Sequence, residues 1–317
     1  MTEAARSLLS RGVNDDRFFE ANDYAGMTVR WCPGCGDRFV LTAVKRLLEA
    51  EQLRPEKTVF VSGAGCAGRL PHYVATCSFH GIHGRALPIA TGVKLAAPDL
   101  SVFAVMGDGD CCSIGASHWL HATRYDLDMV ALLLDNAVFG MTKHRGSPTA
   151  PEGFAVHTSL RGARLPQLNP LAVTLGVANA SFVAQSADWI PDHLYETLRA
   201  AYRHRGFSFV RVLQRCPKFS APVFEEAASK PDLTEMLVHE DGIDPPGLDK
   251  LYTSRIWHDP ASLDEARRLA EDTAEVRVGL FFRDDSRACH EEIRRSAICT
   301  AEEKTRRLNA ELDRHAV

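Results

Sequence analysis

The chain has 317 residues, 45% of them hydrophobic, enough for one large core or two modest ones. Its charges are mixed and the formal net charge is only -4, which leaves no basic footprint for nucleic acid and no polybasic patch for a membrane. The longest apolar runs are strand-sized, short of the ~20 residues that span a bilayer. The opening Met1 to Gly12 lacks an apolar signal core, so a cytoplasmic location is expected, and nine cysteines in that setting are thiols or metal ligands rather than disulfides.

Met1 to Met27 is polar, with paired acids at Asp15 and Asp16, and reads as an extension that would wrap a partner subunit. Trp31-Cys32-Pro33-Gly34-Cys35-Gly36 is a loop, because proline and two glycines disfavour a helix. Two thiols at this spacing suit zinc, an iron-sulfur cluster or a redox disulfide alike. From Arg38, the apolar residues Phe39, Val40, Val44, Leu47 and Leu48 predict an amphipathic helix ending near Glu51. Thr58 to Val61 is a buried strand that delivers Ser62 to Cys66 to one edge of a sheet. His72 to Arg85 follows as a loop, with His83, Gly84 and Arg85 placed to contact a phosphate, and Ala86 to Ala97 is a helix of small residues.

Ser101 to Met106 is an apolar run stopped by Gly107-Asp108-Gly109, and residues to about Tyr125 have helical spacing. Met129 to Leu134 is the next strand and ends at Asp135-Asn136. In a right-handed strand-helix-strand crossover both strand ends emerge on one edge of a parallel sheet, where such sheets bind ligands, so Asp108 and Asn136 converge there. Magnesium takes oxygen ligands, with phosphate and water completing its shell. Asp108 offers a carboxylate, Asn136 an amide oxygen and Val138 a main-chain carbonyl. Gly107 and Gly109 let backbone approach a diphosphate, whose charge the following helix N-terminus favours. Gly-Asp-Gly alone is an ordinary acidic turn; the asparagine one crossover later makes it a metal-diphosphate site. Cys111 and Cys112, in tandem, are packing residues. His118 and His121, one helical turn apart, read as contacts to a partner subunit rather than a metal pair. Lys143, His144 and Arg145 place positive charge in the loop running to Glu152.

Leu171 to Leu175, Ser181 to Ala184, Ile190 to Arg203 and Phe207 to Leu213 read as helix, strand, helix and strand, with Cys216 just past the last strand. The predicted fold is α/β, a doubly wound, mostly parallel sheet, over residues 28–224. Residues 225–317 read as a wrapping arm, charged from Glu225 to Thr273, with a returning strand at Arg277 to Phe282 and a terminal helix at Ala301 to His315. Cys77, Cys289 and Cys299 have no partner at ligand spacing and are expected as free thiols.

The chain resembles the β subunits of 2-oxoacid:ferredoxin oxidoreductases. The resemblance rests on the Gly-Asp-Gly turn followed by Asn136 and Val138 to Lys143, on Trp31 to Gly36, Ser62 to Pro71, His83 to Gly92, Thr142 to Thr149 and Cys216-Pro217, and covers about Thr28 to Phe219. It implies the diphosphate-binding type of thiamine-diphosphate fold, with thiamine diphosphate and Mg2+ held through Ala64, Gly65, Cys66, Ala67, His83, Gly107, Asp108, Gly109, Asp110, Asn136, Val138, Gly140 and Met141. The metal ligands among these would be Asp108, Asn136 and Val138. It implies a [4Fe-4S] cluster on Cys32, Cys35, Cys66 and Cys216, with structural zinc on the same four as the plainer alternative. Arg69, Met141 and Lys143 would face the substrate, and a cation at Arg69 suits the distal carboxylate of 2-oxoglutarate better than pyruvate. The expected products are acyl-CoA, CO2 and reduced ferredoxin, with coenzyme A as acceptor. There is no room for a second, pyrimidine-binding domain, so an α subunit supplying the activating glutamate is expected, in an αβ or (αβ)2 assembly. Two rivals are a non-oxidative thiamine-dependent decarboxylase subunit, which leaves the four cysteines without purpose, and a non-catalytic scaffold subunit built on zinc.

Overall fold

A computed structural model describes residues 17–157, 159–160, 162–290, 292–293 and 300–314. Its strands are β1 (Thr58–Ser62), β2 (Cys77–His80), β3 (Ser101–Gly107), β4 (Met129–Asp135), β5 (Val138–Phe139), β6 (Arg145–Gly146), β7 (Phe182–Ala187), β8 (Phe207–Leu213), β9 (Thr234–Val238), β10 (Arg255–Trp257) and β11 (Val276–Arg283). Its helices are α1 (Asp37–Ala50), α2 (Ala86–Ala96), α3 (Ala116–Tyr125), α4 (Pro170–Leu175), α5 (Pro191–Arg203), α6 (Glu225–Ser229), α7 (Leu263–Glu271) and α8 (Ala301–Arg314).

Nine strands form one sheet in the order β10-β9-β11-β7-β8-β4-β3-β1-β2. Every pairing in it is parallel except β11 with β7. Alternate residues of the central strands serve two cores, as the period of a strand requires. Phe60, Phe103, Val105 and Leu132 meet α1 and α5 on one face; Val61, Ala104, Ala131 and Leu133 meet α2, α3, α4 and α7 on the other. With both faces covered, β4 is buried at every position, and so Met129 to Leu134 reads as a continuous apolar run. Local signals set the helix starts: Asn169 caps α4 by accepting from the backbone N–H groups of Leu171 and Ala172, with Pro170 in the first turn.

The doubly wound, mostly parallel fold is the one expected, with differences that have physical causes. Phe39 is exposed and faces the Arg215 guanidinium at 5.8 Å, while Leu41 and Ala43 join the buried face of α1. The segment read as a loop from His72 contains an edge strand, β2. All four of its residues are exposed, so no apolar alternation marks it. The helix after Gly109 begins with a single π turn, Asp110–Ile114, before α3. The largest correction concerns residues 225–317. Their charged stretch supplies β9, β10 and α7, and β11 pairs with both β7 and β9, so the sheet runs on past residue 224. Met236, Leu237, Val278 and Leu280 are the buried minority in that charged background.

The described part of the N-terminal extension packs on its own chain. Tyr24 is buried and its hydroxyl lies 2.9 Å from the carbonyls of both Leu48 and Leu53 at the end of α1. Cys111 and Cys112 are buried in the core as expected, and Cys77 is exposed. Cys289 is buried, whereas Cys299 and His315 lie outside the described residues. Among the described residues no helix is long and apolar enough to cross a membrane.

Candidate functional site

The carboxyl ends of β1, β3 and β4 each release a loop to the same edge of the sheet, and the three loops enclose a cavity of about 850 Å³. The β1 loop brings Ala64, Gly65, Cys66, Ala67 and Arg69; the β3 turn brings Gly107, Asp108, Gly109 and Asp110. The β4 loop brings Asn136, Val138, Gly140 and Met141, and His83 closes the side. Asp108 and Asn136 are therefore gathered at one sheet edge as the crossover argument requires.

The cavity floor is built around buried carboxylates. Asp108 accepts from the Thr149 hydroxyl at 2.8 Å, and that hydroxyl also lies 2.7 Å from an oxygen of Asp135. One hydroxyl proton cannot serve two carboxylates at once. Burial, and next the charge of Asp135, push the Asp108 carboxyl up to about 7. Asp135 is held by Arg211, whose Nη2 approaches to 2.6 Å, which leaves Asp108 as the carboxylate in need of a cation. Asn136 donates its amide N–H to Gln214 at 2.8 Å, and its carbonyl oxygen accepts from the Val138 N–H at 3.2 Å with one lone pair to spare. The donor set is all oxygen, which suits a hard divalent ion.

Asp110 stands opposite. One of its oxygens accepts from the Gly84 backbone N–H at 2.5 Å and lies 2.8 Å from His83 Nδ1. The other is buried without a partner, and burial raises this carboxyl above its ordinary range. Gly63 is needed here, since a Cβ on it would lie 1.9 Å from that free oxygen. A Cβ on Gly109 would strike the Phe139 ring at 2.1 Å, so this position also makes a close approach to an aromatic side chain.

The four cysteines meet beside this cavity. Cys32 and Cys35 precede α1, Cys66 ends the β1 loop and Cys216 follows β8. The Trp31 indole donates to the Cys66 carbonyl at 2.8 Å and ties the first loop to the second; the Gly36 N–H donates to the Arg215 carbonyl at 3.0 Å and ties it to the third. Burial pushes the Cys66 thiol up to about 12, and the charges of Asp37, Cys216 and Cys32 push it the same way. Cys35 is raised too, first by burial and then by Asp37, whose own carboxyl burial pushes up to about 7. Partly buried sulfurs gathered beside a buried carboxyl are costly as thiolates, a cost that a bound cationic centre would remove. Cys66 belongs to both places, because it also lines the cavity.

Comparison with known proteins agrees with this geometry. Residues 63–212 match the family model of the thiamine pyrophosphate enzyme C-terminal TPP binding domain. The 2-oxoglutarate oxidoreductase subunit KorB of Mycobacterium tuberculosis is 45% identical over 197 residues, covering 62% of this chain and 52% of that protein. The 2-oxoglutarate synthase subunit KorB of Archaeoglobus fulgidus is 42% identical over 193 residues, covering 59% of this chain and 69% of that one. The chain belongs to the β subunits of the 2-oxoacid:ferredoxin oxidoreductases. It thus spans between about half and two thirds of the length of these two relatives. A solved structure, 2-oxoglutarate:ferredoxin oxidoreductase from Magnetococcus marinus with 2-oxoglutarate, coenzyme A and succinyl-CoA bound, superposes with a TM-score of 0.80. It does so at 29% identity over 94% of this chain and 97% of that one.

In this oxidoreductase β subunit, one residue expected to face the substrate lies outside the cavity. Lys143 is exposed in a left-handed backbone conformation, φ 61°, at the tip of the β5–β6 hairpin. Arg145, which pairs with Phe139 in that hairpin, lines the cavity in its place. Arg85 turns away to the carbonyls of Gly84 and Ile114 at the end of the π turn. His72 and His80 also line the cavity, and the sequence reading passed over both. The histidine-rich composition of their loop was the available signal. On α3, His121 is exposed alongside Leu120 and Tyr125, a mixed face of the kind expected for subunit contacts.

Proposed function

We propose that this chain is the thiamine-diphosphate-binding and [4Fe-4S]-binding subunit of an enzyme that oxidatively decarboxylates a 2-oxo acid, 2-oxoglutarate before pyruvate. Coenzyme A would receive the acyl group and ferredoxin the electrons. The single observation that carries this reading is that the oxygen-lined cavity and the four-thiol group share Cys66. Thiamine diphosphate would supply the carbanion and electron sink for decarboxylation, and the cluster one-electron transfer.

The chain's own residues have definite tasks in that scheme. Asp108, Asn136 and the Val138 carbonyl would hold Mg2+, and Thr149 orients Asp108 by its 2.8 Å hydrogen bond. Gly107, Gly109 and Asp110 border the diphosphate, with His83 held by Asp110 at 2.8 Å. Arg69 and Arg145 put positive charge on the cavity wall for the distal carboxylate of 2-oxoglutarate, and Met141, 61% exposed, sits at the mouth. An α subunit would contribute the glutamate that activates the aminopyrimidine, in an αβ or (αβ)2 assembly. The relatives' names, and the 2-oxoglutarate bound to the Magnetococcus enzyme, support the choice of acid.

Zinc on the same thiols fits less well. A closed zinc tetrahedron with bonds of ~2.3 Å brings its sulfurs to roughly 3.8 Å of one another, and among the described residues no three of these cysteines have sulfurs within 4.8 Å. A cubane ligates each thiolate to a different iron and holds them farther apart. The test is anaerobic purification with the partner subunit. We expect a brown complex with four irons per β chain, bleached by dithionite, that forms succinyl-CoA faster than acetyl-CoA. A colourless protein with stoichiometric zinc would overturn the assignment, and a large preference for pyruvate would remove the role given to Arg69.

A further inference from the structure

We propose that an acidic one-electron carrier protein docks on a cationic rim around Cys32, formed by Arg30, Arg38 and Lys218; this rests on the cluster reading above. Of the four cysteines, Cys32 is the exposed one, so the sulfur group reaches solvent on its side. The segments that frame it are residues 27–39 and 215–219. Their side chains include four arginines and lysines, Arg30, Arg38, Arg215 and Lys218, against one carboxylate, Asp37, which is fully buried. Arg215 is committed to buried Asp188 at 2.8 Å, which leaves the other three to set the charge of the rim.

The two segments touch. A Cβ on Gly34 would lie 3.7 Å from the Pro217 ring, which brings Lys218 beside the Cys32–Cys35 loop. Arg38 folds back over that loop, donating to the carbonyls of Trp31 at 2.7 Å and Cys32 at 3.2 Å. Arg30 and Lys218 are exposed, and Met27, Pro33, Phe39 and Pro217 give the rim an exposed apolar part. Cations around a small apolar patch form a surface complementary to a small acidic protein. The net charge of -4 repels such a partner, so this local patch must do the steering. In each encounter the reduced cluster loses one electron and the carrier gains it, with no bond made or broken.

The experiment uses the anaerobic complex of this chain with its partner subunit and a purified acidic ferredoxin as probe. Arg30→Glu and Lys218→Glu together should weaken ferredoxin binding by about tenfold or more at low salt, with the difference collapsing at high salt. The milder Arg30→Gln and Lys218→Gln pair should weaken it by about threefold. Iron content, and reduction of the small acceptor methyl viologen with 2-oxoglutarate, should be no lower than in the unmodified complex. An unchanged dissociation constant in iron-replete variants would overturn the docking surface. That is also the result expected if the partner subunit covers the rim. Loss of viologen reduction in the unmodified complex would instead count against the proposed function, while the dissociation constant would still decide the docking surface.

Discussion

The two edges of the central sheet carry similar polar side chains to opposite ends. At the amino edge, Asp126 accepts from the Phe207 N–H at 2.8 Å and the Ser181 hydroxyl at 2.5 Å, and His204 lies 3.0 Å from Ser181 and 3.1 Å from Asp285. Serine, histidine and aspartate stand in line there as in a hydrolase. Yet Ser181 is buried and its proton is already given to Asp126, so the group is a brace between β4, β7 and β8. At the carboxyl edge the carboxylates are incompletely matched. Asp110 and Asp37 each keep a buried oxygen without a partner, and Asp108 shares one hydroxyl with Asp135. A satisfied polar network holds a fold together, whereas an unsatisfied one at a cavity marks the place where a ligand completes it.

Substitutions should separate the edges. The largest effect is expected from Asp108→Ala, which should weaken Mg2+-dependent binding of thiamine diphosphate by about 100-fold or more, read by calorimetry; unaltered binding would remove Asp108 from the metal site. Cys66→Ser should lower iron content and visible absorbance well below those of the unmodified complex, and a full complement of iron would break the four-cysteine assignment. Arg145→Ala should raise KM for 2-oxoglutarate by about tenfold through loss of a charged hydrogen bond. Lys143→Ala, outside the cavity, should change it less than about twofold. Equal effects from the two would mean that the hairpin rearranges on binding.

A stability measurement sharpens the contrast further. Because the Asp108 carboxyl is raised from 3.8 to about 7, the cofactor-free folded chain holds a proton there that the unfolded chain has lost. This contribution is present below pH 3.8 and disappears as pH rises through about 7. Asp108→Asn should therefore raise the thermal midpoint of the cofactor-free protein at pH 8 by a few degrees, and by less at pH 5. Asp126→Ala, at the satisfied edge, should lower stability at both pH values by about 1–3 kcal/mol. If both variants shift the midpoint in the same direction at pH 8, the distinction between the edges fails.

Much of the site could be read from the chain alone because its residues lie at strand ends. A strand boundary followed by Gly-Asp-Gly or Asp-Asn fixes direction as well as position, and the right-handed crossover does the rest. Where side chains point within a hairpin was not readable. Lys143, His144 and Arg145 are adjacent, and Lys143 and Arg145 are both exposed, yet of the three the arginine is the one that lines the cavity. Three outer strands were equally hidden, since β2 is exposed throughout and β9 and β10 lie among charged residues, whereas β11 was legible as the returning strand at Arg277 to Phe282.

By itself the sequence determined the doubly wound core, the crossover that brings Asp108 to Asn136 and the loops that carry the four cysteines, because periodicity and turn chemistry are local. Only the tertiary structure decided that Thr149 stands between Asp108 and Asp135 and that the charged C-terminal stretch completes the sheet. Those facts depend on distances between residues far apart in the chain, and packing sets such distances.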